Sequence, residues 1–260
     1  MIFRKRNFII HTPEEIVRIR RATEATAFVR DQIPQMVTAG MTTGDINELA
    51  GRLIKETGGK SAFLGYYGFP GNICISVNDE VIHGIGSHQR VLAETDIVSI
   101  DVGVSIDDAC GDSALTFTLC EKPSEEVRML LNTTRQALMN GIKAAINGKH
   151  ISDISRAVEN TARAAKLGVV RDYVGHGCGV KLHEPPEVPN FVMPGECGPK
   201  LVPGMVLAVE PMFNLGTYRV KTDADNWTVR TCDGKWSAHF EHMILITDNK
   251  PEILTWQKTM

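Results

Sequence analysis

The sequence predicts an α+β fold, and two features of the 260-residue chain carry that prediction. Two stretches about 110 residues apart each read as a pair of helices, the mark of a duplicated unit. Between and after them lie short apolar runs, the best-patterned of them with the period-two alternation of a strand. Helices kept apart from antiparallel strands define the α+β class.

The first helix pair runs from Thr12-Pro13-Glu14-Glu15-Ile16 through Ala39-Gly40 and Gly44-Asp45-Ile46 to Gly58. The second runs from Pro123-Ser124-Glu125-Glu126-Val127 through Asn147-Gly148 and Ser152-Asp153-Ile154 to Gly168. Thr12 and Ser124 are N-caps by residue type, and Glu15 stands where a capping box needs its acid. Gly58 and Gly168 suit the ends of the second helices. Two unrelated amphipathic helix pairs would give the same pattern, so duplication is one of two readings. Val98 to Val104 alternates in polarity, Asp107 to Gly111 has turn composition, and Ser113 to Leu119 returns. A hairpin is expected there. Met205 to Val209 and His242 to Thr247 are further strands, and the prolines at 185, 186, 189, 194, 199 and 203 mark 184–204 as a loop-rich stretch of functional length. No linker divides the chain, so residues 1–260 read as one catalytic domain with similar halves, roughly 12–120 and 121–255.

A net charge of −3 leaves no electrostatic footprint for nucleic acid. No run approaches the ~18 apolar residues of a membrane span, and the apolar stretch after Arg4-Lys5-Arg6 is too short for a signal peptide. Six cysteines without a CxxC pair suit a reduced, cytoplasmic chain. HExxH, GxSxG, P-loop and GxGxxG motifs are all missing, which removes the main support for zincin, serine-hydrolase and nucleotide-loop chemistry.

What remains is a set of acids and histidines in apolar settings. Asp101 lies within a strand between Ile100 and Val102, and Asp112 opens the return strand. The hairpin would bring both carboxylates to one face, where they repel unless a cation neutralises them. Glu210 closes the run Met205-Val206-Leu207-Ala208-Val209, and Glu241 precedes Met243-Ile244-Leu245-Ile246. His176 sits in Gly175-His176-Gly177, a backbone able to turn tightly. Taken singly, each acid is more ordinarily a solvated strand end or turn residue. Together, four acids and one imidazole without a thiolate suit two divalent ions such as Mn, Fe, Co or Zn. His83 and His183 stand in Val81-Ile82-His83-Gly84 and His183-Glu184-Pro185-Pro186 without an acid partner visible in the sequence.

These segments resemble type I methionine aminopeptidases, as do Gly65-Tyr66-Tyr67-Gly68-Phe69-Pro70, Cys74-Ile75-Ser76-Val77-Asn78, Glu210-Pro211-Met212 and Glu241-His242. The resemblance runs from Thr12 to Thr255. It implies a pseudo-two-fold pita-bread fold and a two-metal site at Asp101, Asp112, His176, Glu210 and Glu241. It further implies that His183 polarises the scissile carbonyl, that His83 contacts the reacting peptide, and that Glu210 shuttles the proton of the attacking water. A methionine pocket would involve Phe63, Tyr66, Phe69, Cys74, Leu182 and Trp227. Positions 63, 69 and 182 depart from the family's Cys, Tyr and Phe but stay large and apolar. The short interval from His183 to Glu210 leaves no room for the type II insertion. The implied substrate is the N-terminal peptide of nascent proteins with a small second residue. The implied setting is a cytoplasmic monomer with the ribosome as a further partner, without membrane or direct nucleic-acid contact. The competing readings are a proline-specific aminopeptidase of the same fold and a non-catalytic binding protein that keeps it.

Overall fold

The computed structural model describes residues 7–256; the basic cluster Arg4-Lys5-Arg6 lies outside them. Four helices form where the sequence places them: α1 (Pro13–Met36), α2 (Thr43–Glu56), α3 (Glu125–Ala144) and α4 (Ile151–Ala164). The Glu15 amide donates to Thr12 Oγ1 at 3.2 Å, and the Thr12 amide donates to the Glu15 carboxylate at 2.8 Å, closing the capping box. Ser124 caps α3 by accepting from the Val127 amide. Gly58 follows α2 in the left-handed conformation that a helix end requires, with φ +78°. Gly168 does something else. Helix α4 has already ended, Lys166 takes the left-handed turn, and Gly168 opens the strand Gly168–Val169. A Cβ there would lie 2.5 Å from the Gly216 carbonyl oxygen, so the glycine serves a close backbone approach.

The expected hairpin is the centre of the first half. Strand Ile97–Ile106 pairs along its length with Ala109–Thr118, and on its other edge with Cys74–Val77. One face presents Val98, Ile100, Val102 and Val104 to α1 and α2, where they are buried with Ile33, Ile46 and Ala50. Burying each such side chain contributes about 1.5–3 kcal/mol. The opposite face carries Ser99, Asp101 and Gly103. Asp101 pairs with Ala114 and Gly103 with Asp112, so both acids stand on that face.

The second half is built on five strands in the order Glu252–Ile253, His242–Leu245, Val206–Val209, Gly175–Gly177 and Glu184–Val188. Helices α3 and α4 cover it, packing Ala137, Ile142, Ile154 and Val158 against Leu207, Val209 and Ile244. The stretch expected to be loop therefore opens as a strand. Its prolines hide the alternation: Glu184, Pro186 and Val188 are buried while Pro185 and Glu187 are exposed, and an edge position tolerates the missing N–H.

Hydrogen bonds stitch the halves at the acid-bearing face. The Glu241 amide donates to the Ala114 carbonyl at 2.9 Å, and Ser113 Oγ donates to the Glu241 carbonyl at 2.7 Å. Buried Arg30 of α1 donates to Ser113 Oγ at 2.6 Å, anchoring the seam from below.

Strand Ala109–Thr118 rests on α1 at Gly111, where a Cβ would fall 2.4 Å from Thr26 Oγ1 and 2.6 Å from the Ala22 carbonyl oxygen. Gly111→Ala is expected to lower stability by about 1–3 kcal/mol through overpacking. Urea denaturation measures this, and an unchanged midpoint would contradict so close a contact.

Candidate active site

Each candidate ligand hangs from a strand or a strand junction. Asp101 and Asp112 come from the hairpin, His176 from Gly175–Gly177, Glu210 from the end of Val206–Val209, and Glu241 from the residue before His242–Leu245. All five line one cavity of about 430 Å³. Donor atoms of Asp112, His176 and Glu241 lie within 4.8 Å of one another. His176 Nε2 is 3.5 Å from Glu210 Oε1 and 3.8 Å from Asp112 Oδ2. The His176 tautomer follows from its other nitrogen. Nδ1 is 2.8 Å from the Gly177 carbonyl oxygen, which only accepts, so Nδ1 carries the proton and the Nε2 lone pair faces the carboxylates.

This arrangement fits divalent cations. Asp101 Oδ1, Asp112 Oδ1 and Glu241 Oε1 are buried without a hydrogen-bond partner. Burial pushes the Asp101 carboxyl up to about 6 and that of Glu210 up to about 8. Burial raises the Asp112 and Glu241 carboxyls well above the usual range, and the facing carboxylates add to it. Acceptor-only groups turned toward one another where they are buried call for a positive charge.

The same cavity continues as an apolar slot. Phe63, Phe69, Cys74 and Leu182 are buried together, with Tyr66 and Trp227 packed against them. All six residues proposed for a methionine side chain therefore meet, together with Tyr67, Ile82, Tyr173 and Val174. Phe63 fills the space that a side chain at Gly103 would take, since a Cβ there would lie 2.4 Å from its ring. His83 follows strand Glu80–Ile82 with φ +59°, and its ring meets Tyr173 edge-on at 5.6 Å. Burial lowers its pKa to about 4, so the imidazole is neutral at pH 7. His183 Nδ1 and the Tyr66 hydroxyl are 2.9 Å apart, and the His183 ring lies 4.2 Å from that of His176.

Several residues at the site escape a reading by motif. His239 is buried with Nε2 3.5 Å from Glu210 Oε2. Asn190 donates to the Glu210 carbonyl at 3.0 Å, and Arg30 lies beneath Ser113. His239 was legible only as the second residue before Glu241 in an apolar run; nothing local marks Asn190 or Arg30.

Comparison with known proteins agrees with this geometry. The profile of metallopeptidase family M24 matches residues 17–248. A protein of Clostridium acetobutylicum named methionine aminopeptidase is 46% identical over 247 residues, 95% of this chain and 98% of that protein. The crystal structure of methionine aminopeptidase from Thermotoga maritima superposes with a TM-score of 0.93 at 40% identity, covering 96% of this chain and all of the other. Prolidase from Pyrococcus furiosus shares the fold at a TM-score of 0.77 and 22% identity, and the match covers 66% of its length. The α+β pita-bread architecture is thus the observed one.

The raised carboxyls make the metal-free chain sensitive to pH. Their folded-state pKa values exceed the unfolded ones, so their contribution to stability is full below about pH 4 and is lost as pH rises through the folded values. For Asp101 and Glu210 those values are about 6 and about 8. The melting temperature of metal-stripped protein is expected to fall between about pH 4 and about pH 8, and saturating divalent metal to remove the fall. A flat metal-free profile would show that the acids are not confined together.

Proposed function

The chain belongs to metallopeptidase family M24, and from that membership we propose that it works as a type I methionine aminopeptidase, a hydrolase that removes the N-terminal methionine of polypeptides. The observation that carries the reading is one cavity joining a buried, oxygen-rich donor set to an apolar slot. As an M24 metallopeptidase it binds divalent metal. We further assign two ions, drawn from Mn, Fe, Co or Zn, to Asp101, Asp112, His176, Glu210 and Glu241. Bound ions supply Lewis acidity, which makes water nucleophilic near neutral pH and draws charge from a carbonyl oxygen.

The chain's own groups do the rest. Glu210 takes the proton of the attacking water and passes it to the leaving amine. His183, held through Nδ1 by Tyr66, offers Nε2 to the carbonyl oxygen as charge develops there. Neutral His83, which lines the same cavity, contacts the reacting peptide. The unbranched thioether of methionine threads between Phe63, Tyr66, Phe69, Cys74, Leu182 and Trp227, whereas β-branched side chains are stiff and wide at their base. Small second residues fit best beside the histidines. The proline-specific alternative is not favoured: the prolidase likeness reports fold alone. A non-catalytic role leaves the confined carboxylates without purpose. Nascent chains in the cytoplasm are the proposed substrate, met by a monomer with the ribosome as a further partner. Among the described residues no helix is long and apolar enough to cross a membrane.

A peptide series varying positions one and two tests the pocket. Met-Ala peptides are expected to be cleaved, norleucine peptides more slowly, within the ~1–3 kcal/mol that one methylene-scale mismatch allows, and Lys-Ala peptides not at all. Comparable rates for Met-Ala and Lys-Ala would reject the methionine assignment. His183→Ala is expected to lower kcat about a hundredfold, the scale of losing one oxyanion donor, with metal content retained. Loss of metal in that variant would make His183 a ligand instead. Asp101→Asn or Glu241→Gln should abolish turnover while leaving the circular dichroism spectrum intact; normal turnover under metal-limited conditions contradicts the ligand set.

A further inference from the structure

We propose that His239 is a positioning residue: its Nε2–H holds the outer oxygen of the Glu210 carboxylate, and with it the orientation in which Glu210 moves protons. This rests on the reading of Glu210 as the proton-transfer group. The carboxylate lies between two imidazoles. Oε1 is 3.5 Å from His176 Nε2, on the side of the other ligands, and Oε2 is 3.5 Å from His239 Nε2. The two oxygens are thereby divided, one toward the metal site and one toward His239.

His239 is well placed to be a fixed reference. It ends strand Ser237–His239 and is buried. Its amide donates to Thr116 Oγ1 at 2.9 Å, and its carbonyl accepts from the same hydroxyl at 2.8 Å, so its backbone is clamped to the central hairpin. It pairs in register with Met212, two residues beyond Glu210, and the Phe240 amide donates to the Pro211 carbonyl. The Glu210 backbone is held as well, by the Asn190 amide group. With both main chains fixed, little but the side-chain torsions of Glu210 can vary.

His239 Nε2 is buried and makes no hydrogen bond elsewhere, a costly state for a polar atom unless Glu210 satisfies it. A separation of 3.5 Å is slightly beyond a formed hydrogen bond, and a small rotation of Glu210 closes it, as such contacts do when a site is loaded. Groups that orient a ligand from outside typically matter 10- to 100-fold in affinity or activity. Nor does His239 belong to the cluster of Asp112, His176 and Glu241 whose donor atoms lie within 4.8 Å of one another.

The test uses two polar replacements of different reach. A glutamine amide extends about as far as Nε2, an asparagine amide only about as far as Nδ1. His239→Gln is expected to keep kcat within about threefold, and His239→Asn to lower it about 10- to 100-fold with KM nearly unchanged. Titration of metal-stripped protein with Co²⁺, followed by calorimetry and visible absorption, supplies a readout apart from turnover. Both variants should bind the wild-type number of ions with the wild-type spectrum, while the Asn variant binds about tenfold more weakly. An Asn variant equal to wild type in both kcat and affinity overturns the proposal. So does loss of an ion and a changed spectrum in both variants, which would make His239 a ligand. Should the Asn variant not fold, a Gln variant with the wild-type melting temperature and a more than tenfold lower kcat overturns it. Wild-type protein that releases no methionine from Met-Ala peptides instead sinks the functional reading, whatever the His239 variants do.

Discussion

Four carboxylates and a lone-pair nitrogen turned toward one another in one buried cavity are the condition around which this molecule is arranged. Each of these acids would be solvated cheaply at a surface, and burying an ionised carboxylate without a partner costs far more than one hydrogen bond returns. The chain cannot lower that cost by moving the acids apart, because they are fixed to paired strands and to junctions between them. Asp101 and Asp112 share a face through the hairpin register, and the Glu241 amide is bound to Ala114 across from Asp101. The repulsion is held in place by the scaffold, and cations relieve it. Metal affinity and pH sensitivity are therefore two expressions of one electrostatic fact.

Rigidity of that degree needs a core on each side. In the first half Val98, Ile100, Val102 and Val104 face α1 and α2; in the second Leu207, Val209 and Ile244 face α3 and α4. Each sheet buries one face against helices and leaves the other to carry chemistry. The seam between the halves is polar where it must be: Arg30, Ser113 and the Glu241 carbonyl form one chain, and Ser99, Thr116 and the His239 backbone form another. These chains satisfy buried groups that would otherwise compete for the acids.

The apolar slot and the ionic site share walls yet make opposite demands. The buried apolar side chains of the slot lower the local polarity, which strengthens charge interactions beside them. Burial in the same cavity also keeps the His83 imidazole neutral. Phe63, Phe69 and Leu182 keep the wall apolar, and Gly103 gives Phe63 the space it occupies.

The sequence by itself determined the elements and the chemistry of the donors. Helix starts were legible at Thr12 and Ser124 because capping is local, and the hairpin because alternation is local. Asp101 stood out since an acid amid Ile100 and Val102 needs a reason. Local signals failed where a partner is remote. Gly168 has the composition of a helix end, yet it is required by the Gly216 carbonyl that packs over it. Prolines concealed the strand Glu184–Val188, because only the finished sheet shows that these residues sit on its edge. Arg30 and Asn190 carry no local mark, and His239 only its place two residues before Glu241, since each is defined by a group far along the chain: Ser113, Glu210 and Thr116. Residue type and spacing fix which atoms can donate, accept or ionise. Only the packed structure decides which of them face one another, because burial and distance are properties of the whole fold.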